Sequence, residues 1–191
     1  MGATKGSLVK VLVAYASRHG ATAGIAERIA QRLDTKGFDT TSVPVGEAES
    51  LEAYDAFIVG SAAYMFHWLK DATRFVKRNS DLLAQRPVWF FSSGPLGTDL
   101  VDDKGQDVFV STRPKEFEEL EPLVDIQGDH VFFGAWDPEV KPKGIGERFV
   151  RLMPATRDAL PAGDFRDWDA IEAWADEIGD QLRGSPNSSA T

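Results

Sequence analysis

The chain has 191 residues, with 21 Lys plus Arg against 30 Asp plus Glu and no cysteine. That is room for one α/β domain with a sizeable core, and it excludes disulfides, iron–sulfur ligation, thiolate zinc sites and a cysteine nucleophile. No apolar run approaches the roughly 18 residues of a membrane span, and the net charge of −9 comes without a continuous basic stripe, so nucleic acid is not an expected partner.

The opening MGATKGSLVKVLVAY has a short, β-branched apolar part that reads as a first strand, Leu8 to Ala16, rather than a secretory signal, so a cytoplasmic location is expected. Ile25, Ile29 and Leu33 then recur at helical spacing until Lys36-Gly37, a cationic last turn followed by a glycine suited to the left-handed cap. Phe38 to Val45 reads as a second strand and Ala56 to Gly60 as a third. Trp68, Leu69, Ala72, Phe75, Val76 and Leu83 mark one face of the next helix. Val88 to Phe91 and His130 to Ala135 are two further apolar runs. Between them lies the acidic segment 99–129, with 10 acidic and 3 basic residues, expected to hold a loop or hairpin around Gly105 to Val110 and a helix from about Lys115 to Val124. Trp168, Ile171, Trp174, Ala175, Ile178 and Leu182 trace a last amphipathic helix that Asp167 is placed to cap. Residues 1–183 form the expected single domain, and Gly184 to Thr191 a polar tail expected to be disordered.

Strands apolar on both faces that alternate with amphipathic helices imply a doubly wound α/β fold, with a parallel sheet covered on both sides. In such sheets ligands bind beyond the carboxyl ends of the strands, where the strand order reverses. The loop after the first strand is Ser17, Arg18, His19, Gly20, Ala21 and Thr22, small and hydroxyl residues that open directly into a helix. It suits a single phosphate held by backbone N–H groups and the helix dipole, and it lacks both the dinucleotide and the nucleoside-triphosphate fingerprint. The six residues alone fit plain helix capping equally well. The loop after the third strand is Ser61, Ala62, Ala63, Tyr64, Met65, Phe66, His67 and Trp68, small residues and then aromatic ones suited to flank a planar heterocycle. After the fourth strand, Ser92, Ser93, Gly94, Pro95, Leu96 and Gly97 offer main-chain groups to a ring edge.

Four segments in order, VLVAYASRHGATAGIAERIA, YDAFIVGSAAYMFHWLKDATRFV, FFSSGPLG and GDFRDWDAIEAWADEI, resemble flavodoxin-domain proteins of the branch that includes the flavin-dependent protoporphyrinogen oxidases. The resemblance implies a flavodoxin-like, five-stranded parallel sheet of order 2-1-3-4-5 that binds FMN. It places Ser17 to Thr22 around the phosphate, Ser61 to Trp68 beside the isoalloxazine ring and Ser92 to Gly97 on the ring's other side. Relatives in this branch often carry glycine where this chain has Phe66.

Three function classes follow. The first is an oxidoreductase passing electrons from an organic substrate to a quinone-type acceptor. The second is an electron carrier whose redox partner is another protein, for which the acidic segment offers a docking face. The third is an interaction module that has lost FMN. His67 is the one candidate for proton transfer near the flavin. The basic stretch 140–157 raises peripheral membrane contact as an option. No metal site is expected, since the histidines at 19, 67 and 130 lack ligand spacing, and no nucleophile elbow is present. The oligomeric state is left open.

Overall fold

The computed structural model describes residues 8–137 and 162–184. Its parallel sheet is built from β1 (Lys10–Ala16), β2 (Asp39–Pro44), β3 (Ala56–Tyr64), β5 (Val88–Ser93) and β6 (Ile126–Phe132) in the order β2-β1-β3-β5-β6. A two-residue strand, β4 (His67–Trp68), pairs antiparallel with β3 and lies off that path. Counting parallel strands alone, this is the expected 2-1-3-4-5 order. A separate antiparallel pair joins β7 (Ala135–Trp136) to β8 (Gly163–Asp164).

Both faces of the sheet are covered. On one face, α1 (Ala21–Thr35) and the last helix, α6 (Trp168–Gly184), bury Ile25, Ile29, Leu33, Ile171 and Ile178 against Val11, Val13, Ile58 and Phe91. Each such side chain contributes about 1.5–3 kcal/mol. On the other face, α2 (Lys70–Arg78), α3 (Ser80–Leu83) and α5 (Glu116–Leu120) cover Leu12, Phe57, Val59 and Phe90. A further short helix, α4 (Val108–Ser111), precedes α5. The two long helices are also clasped by charge. Arg32 reaches Asp176 at 2.6 Å and Lys36 reaches it at 3.2 Å. The Arg32 hydrogen bond is the main reason the Asp176 carboxyl sits at about 2.

Several boundaries differ from the sequence reading for local reasons. The segment from Ser61 onward is not a loop. β3 continues to Tyr64 and returns as β4 through a two-residue turn, Met65-Phe66. Trp68 therefore lies in a strand and not on the helix face, and its ring packs edge-on against Phe90 (5.2 Å) and Phe117 (4.8 Å). The helix expected to run through Leu83 breaks at Asn79, whose Nδ2 donates to the Phe75 carbonyl at 2.8 Å. In the acidic segment the turn spans Asp102 to Gln106, closed by the N–H of Asp102 on the Gln106 carbonyl, and Val108–Ser111 is helical. The next helix ends at Leu120, where Pro122 limits the continuation to one 3-10 turn. β6 starts earlier than expected, at Ile126, and Ala135 belongs to β7. Two expectations match: Gly37 takes φ 87° after α1, and the Asp167 carboxylate accepts from the N–H of Ala170 at 3.0 Å at the start of α6. Gly184 ends α6; the rest of the proposed tail and the basic stretch 140–157 lie outside the described residues.

A two-residue hairpin with positive φ at both positions follows the natural twist of the strands but favours Asn-Gly. Here Met65 has φ 51° and Phe66 φ 64°, and both side chains project into solvent. A left-handed non-glycine residue costs on the order of 1 kcal/mol. Phe66→Gly is expected to stabilise the fold by roughly 0.5–1 kcal/mol, measured as a higher urea midpoint with an unchanged m value.

Candidate functional site

β1 is hydrogen-bonded to β2 on one side and to β3 on the other, so the chain winds outward in opposite directions and leaves a crevice beyond β1 and β3. The register brings the three predicted loops to one level: Ala16 lies beside Ser61, Ser61 beside Ser92, and Ser93 beside Phe132. Two glycines permit this closeness. A Cβ on Gly60 would lie 1.9 Å from the Phe91 ring, and one on Gly94 would lie 3.2 Å from the Ala63 carbonyl oxygen.

Much of the hydroxyl chemistry here is structural. Ser61, fully buried, accepts from the N–H of Leu69 at 3.0 Å and donates to the Ala62 carbonyl at 2.9 Å, which fixes the path from the hairpin into α2. Thr22, 1% exposed, shares a 2.8 Å hydrogen bond with Ser93, and Ser17 Oγ accepts from the N–H of Gly20 at 3.1 Å. The donors left over in this loop are thus main-chain ones. The N–H groups of Ala21, Thr22 and Ala23 have no partner among the described residues, α1 has no acidic residue in its first turn, and Gly20 (φ 89°) has open space where a Cβ would stand. The first turn of a helix in this state attracts anions.

The β7–β8 pair adds a positive side chain at the same place. The Arg166 guanidinium donates to the Ala21 carbonyl at 3.2 Å, is held by Asp164 at 2.6 Å and stacks on Trp168 at 4.5 Å. It occupies the space that a Cβ on Gly24 would need. The Arg166 hydrogen bond keeps the Asp164 carboxyl below its usual range. His19 meets the Trp136 ring edge-on at 6.1 Å. His19, Gly20, Ala21, Trp136 and Arg166 help to line a cleft of about 680 Å³.

The hairpin stands on the other side. Arg18 lies over the Tyr64 ring at 5.2 Å, joining the first loop to the hairpin. His67 turns toward Glu116 on α5, with Nδ1 2.9 Å from Oε1, while Glu116 Oε2 accepts from the N–H of Trp68 at 3.0 Å. Burial raises the Glu116 pKa, but these two hydrogen bonds, with the Glu116 backbone N–H and the His67 ring adding to them, outweigh it and leave the carboxyl below its ordinary value. Ser17, Arg18, Tyr64, His67 and Trp68 line a second cleft, of about 980 Å³, whereas Ser92 to Gly97 line neither of these two clefts. Among the described residues no cluster of His, Asp or Glu is arranged to hold a metal. No described helix is long and apolar enough to cross a membrane.

Residues 12–137 match the model of the flavodoxin domain. The chain belongs to the flavodoxin-domain family. FMN is the cofactor of this family. Among solved structures, a flavodoxin from the domain Archaea is 13% identical with a TM-score of 0.58, covering 92% of this chain and 99% of its own. Flavodoxin from Streptococcus pneumoniae TIGR4 is 16% identical with a TM-score of 0.56, covering 91% and 99%. Flavodoxin 2 from Bacillus cereus is 22% identical with a TM-score of 0.55, also covering 91% and 99%. At these identities the likeness establishes the flavodoxin fold.

Sequence reasoning did not single out Arg166, Trp136 or Glu116. Arg166 left a signal inside GDFRDW, an arginine just ahead of a helix, but pairing it with Gly24 needs the tertiary structure. Glu116 left none, because its partners are 48 and 49 positions away. Glu116→Gln leaves one acceptor oxygen for two donors and is expected to cost about 1–2 kcal/mol. The folded pKa of Glu116 is depressed, so its contribution is complete above the unfolded pKa and fades as pH falls through the folded one. The stability gap between wild type and variant should therefore be full at pH 7 and shrink below about pH 4.5, as read from urea melts at both pH values.

Proposed function

We propose that the protein binds FMN through its phosphate at the first turn of α1 and works as a flavin-dependent oxidoreductase, passing electrons from an organic substrate, a porphyrinogen, to a quinone-type acceptor. The observation that carries the FMN assignment is the set of unpaired N–H groups at Ala21, Thr22 and Ala23, with the Arg166 guanidinium beside them. Bound flavin supplies hydride and single-electron chemistry that no side chain of this chain offers. The protein's own part is binding and orientation. The amides and dipole of α1 take the phosphate charge, Arg166 adds a cation, and Gly20 lets the backbone approach closely. The Thr22–Ser93 hydrogen bond keeps that turn in register with the end of β5. His67, held by Glu116, is a proton donor or acceptor at the hairpin. The porphyrinogen and quinone assignments rest on the four-segment resemblance to protoporphyrinogen oxidases.

The carrier reading draws support from the exposed apolar side chains of Met65, Phe66, Val101 and Val110, which suit contact with a protein partner. Anaerobic mixing of FMN-loaded protein with protoporphyrinogen separates the two. Flavin bleaching that a menaquinone analogue reverses supports the oxidoreductase, and exchange with protein redox partners alone supports the carrier.

The FMN assignment has a test that leaves folding intact. Ala21→Asp puts a carboxylate where the helix dipole welcomes it and where a phosphate would sit. The variant is expected to keep or raise its melting temperature and to lose FMN affinity at least roughly tenfold, by titration of flavin fluorescence. Unchanged affinity would place the phosphate elsewhere.

A further inference from the structure

The crossover from β2 to β3 is unusually thin. Parallel strands are generally joined through a packed helix, yet residues 45–55 contain only the 3-10 turn Leu51–Ala53. Beside that turn, between it and α2, lies the cleft of about 980 Å³. Its size is that of a small-molecule site. Its walls are of two kinds. Val45, Leu51, Trp68 and Phe75 give an apolar floor, and Trp68, Leu51 and Phe75 are themselves buried.

The rim is cationic in a chain whose net charge is −9. Lys70, Arg74 and Arg78 follow one another at four-residue steps along α2, and Arg18 projects from the β1 loop. Side chains four apart share a helix face and lie about 6 Å apart along its axis. The one carboxylate on the lining is Asp71, 3.5 Å from Arg74; Lys70 and Arg78 have no ion pair among the described residues. Arg18 lies over the Tyr64 ring. Tyr15, also on the lining, stays a neutral phenol, because burial, then Glu27 and Glu47, raise its pKa.

We propose that this cleft binds an organic anion with a flat apolar body and two anionic groups about 6–12 Å apart, paired with the Lys70–Arg74–Arg78 row. The aromatic floor takes the body and the rim takes the charges. Phosphate and carboxylate groups meet these demands equally. The cleft shares Ser17, Arg18, Tyr64 and Trp68 with the proposed flavin surroundings, so a ligand bound there lies beside the hairpin. Its role as an electron donor rests on the FMN reading; its binding does not.

The test uses the full chain, freed of FMN, in low-salt calorimetric titrations with NADPH as the phosphate probe and mesoporphyrin IX as the dicarboxylate probe. Saturable binding of at least one probe is expected, weakened roughly tenfold in the double variant Arg74→Gln/Arg78→Gln and also by high salt. Lys77→Gln is the control, since Lys77 is off the lining and paired with Glu119, and it should bind as wild type does. Binding of NADPH alone assigns the phosphate source, binding of mesoporphyrin alone the carboxylate source, and binding of both a general site for paired anionic groups. The absence of saturable binding with both probes, or equal affinity in the double variant, overturns the proposal. Ala21→Asp separates this outcome from a failure of the FMN reading, because it should leave probe binding unchanged.

Discussion

A buried 2.8 Å hydrogen bond between Thr22 and Ser93 joins the first turn of α1 to the carboxyl end of β5. These residues are 71 positions apart, and the bond crosses the point where the strand order reverses. With it in place the first turn of α1 cannot drift along the sheet, and its amide groups remain over the crevice. Its energetic weight is that of a buried polar pair: modest as a net gain, about 1 kcal/mol, and costlier if one partner is left alone. Gly60 and Gly94 serve the same end by letting Phe91 and the Ala63 backbone close in. The site is therefore levelled by small residues and inward-facing hydroxyls, which leaves the first-turn amides of α1 and the Arg166 guanidinium side by side at its edge.

The fold was legible because its determinants are periodic. Doubly apolar strands and the Ile25, Ile29, Leu33 spacing lead to a parallel sheet with helices on both faces, and the loops to inspect follow from topology alone. What escaped was set by contacts distant in sequence. The hairpin at Met65-Phe66 defies turn statistics, since neither residue favours positive φ, so Ser61 to Trp68 reads as a loop. The turn is held from outside, by Glu116 gripping His67 and the N–H of Trp68 and by the N–H of Lys115 on the Phe66 carbonyl. The hydroxyls of Ser17 and Thr22 look like phosphate ligands in the sequence. In the fold, Thr22 is committed to Ser93 and Ser17 to its own loop, which leaves the amides of Ala21, Thr22 and Ala23 without partners among the described residues. The row Lys70, Arg74, Arg78 was visible at helical spacing, but spacing alone does not say whether such a face lies in open water or along a cleft.

The uneven charge along the chain gives that row its meaning. Residues 1–93 carry 11 basic and 9 acidic groups, against 10 and 21 in residues 94–191. All four cations of the α2 cleft come from the first part. The field of distant carboxylates is screened within a Debye length of about 8 Å at physiological salt, so the composition of the rim governs what a ligand meets at contact. Farther out, an acidic surface disfavours polyanions, whose many charges extend beyond the rim. The combination selects by size: a compact anion reaches the cations and leaves the acidic surroundings behind, whereas an extended polyanion gains the same few contacts and meets repulsion along the rest of its length.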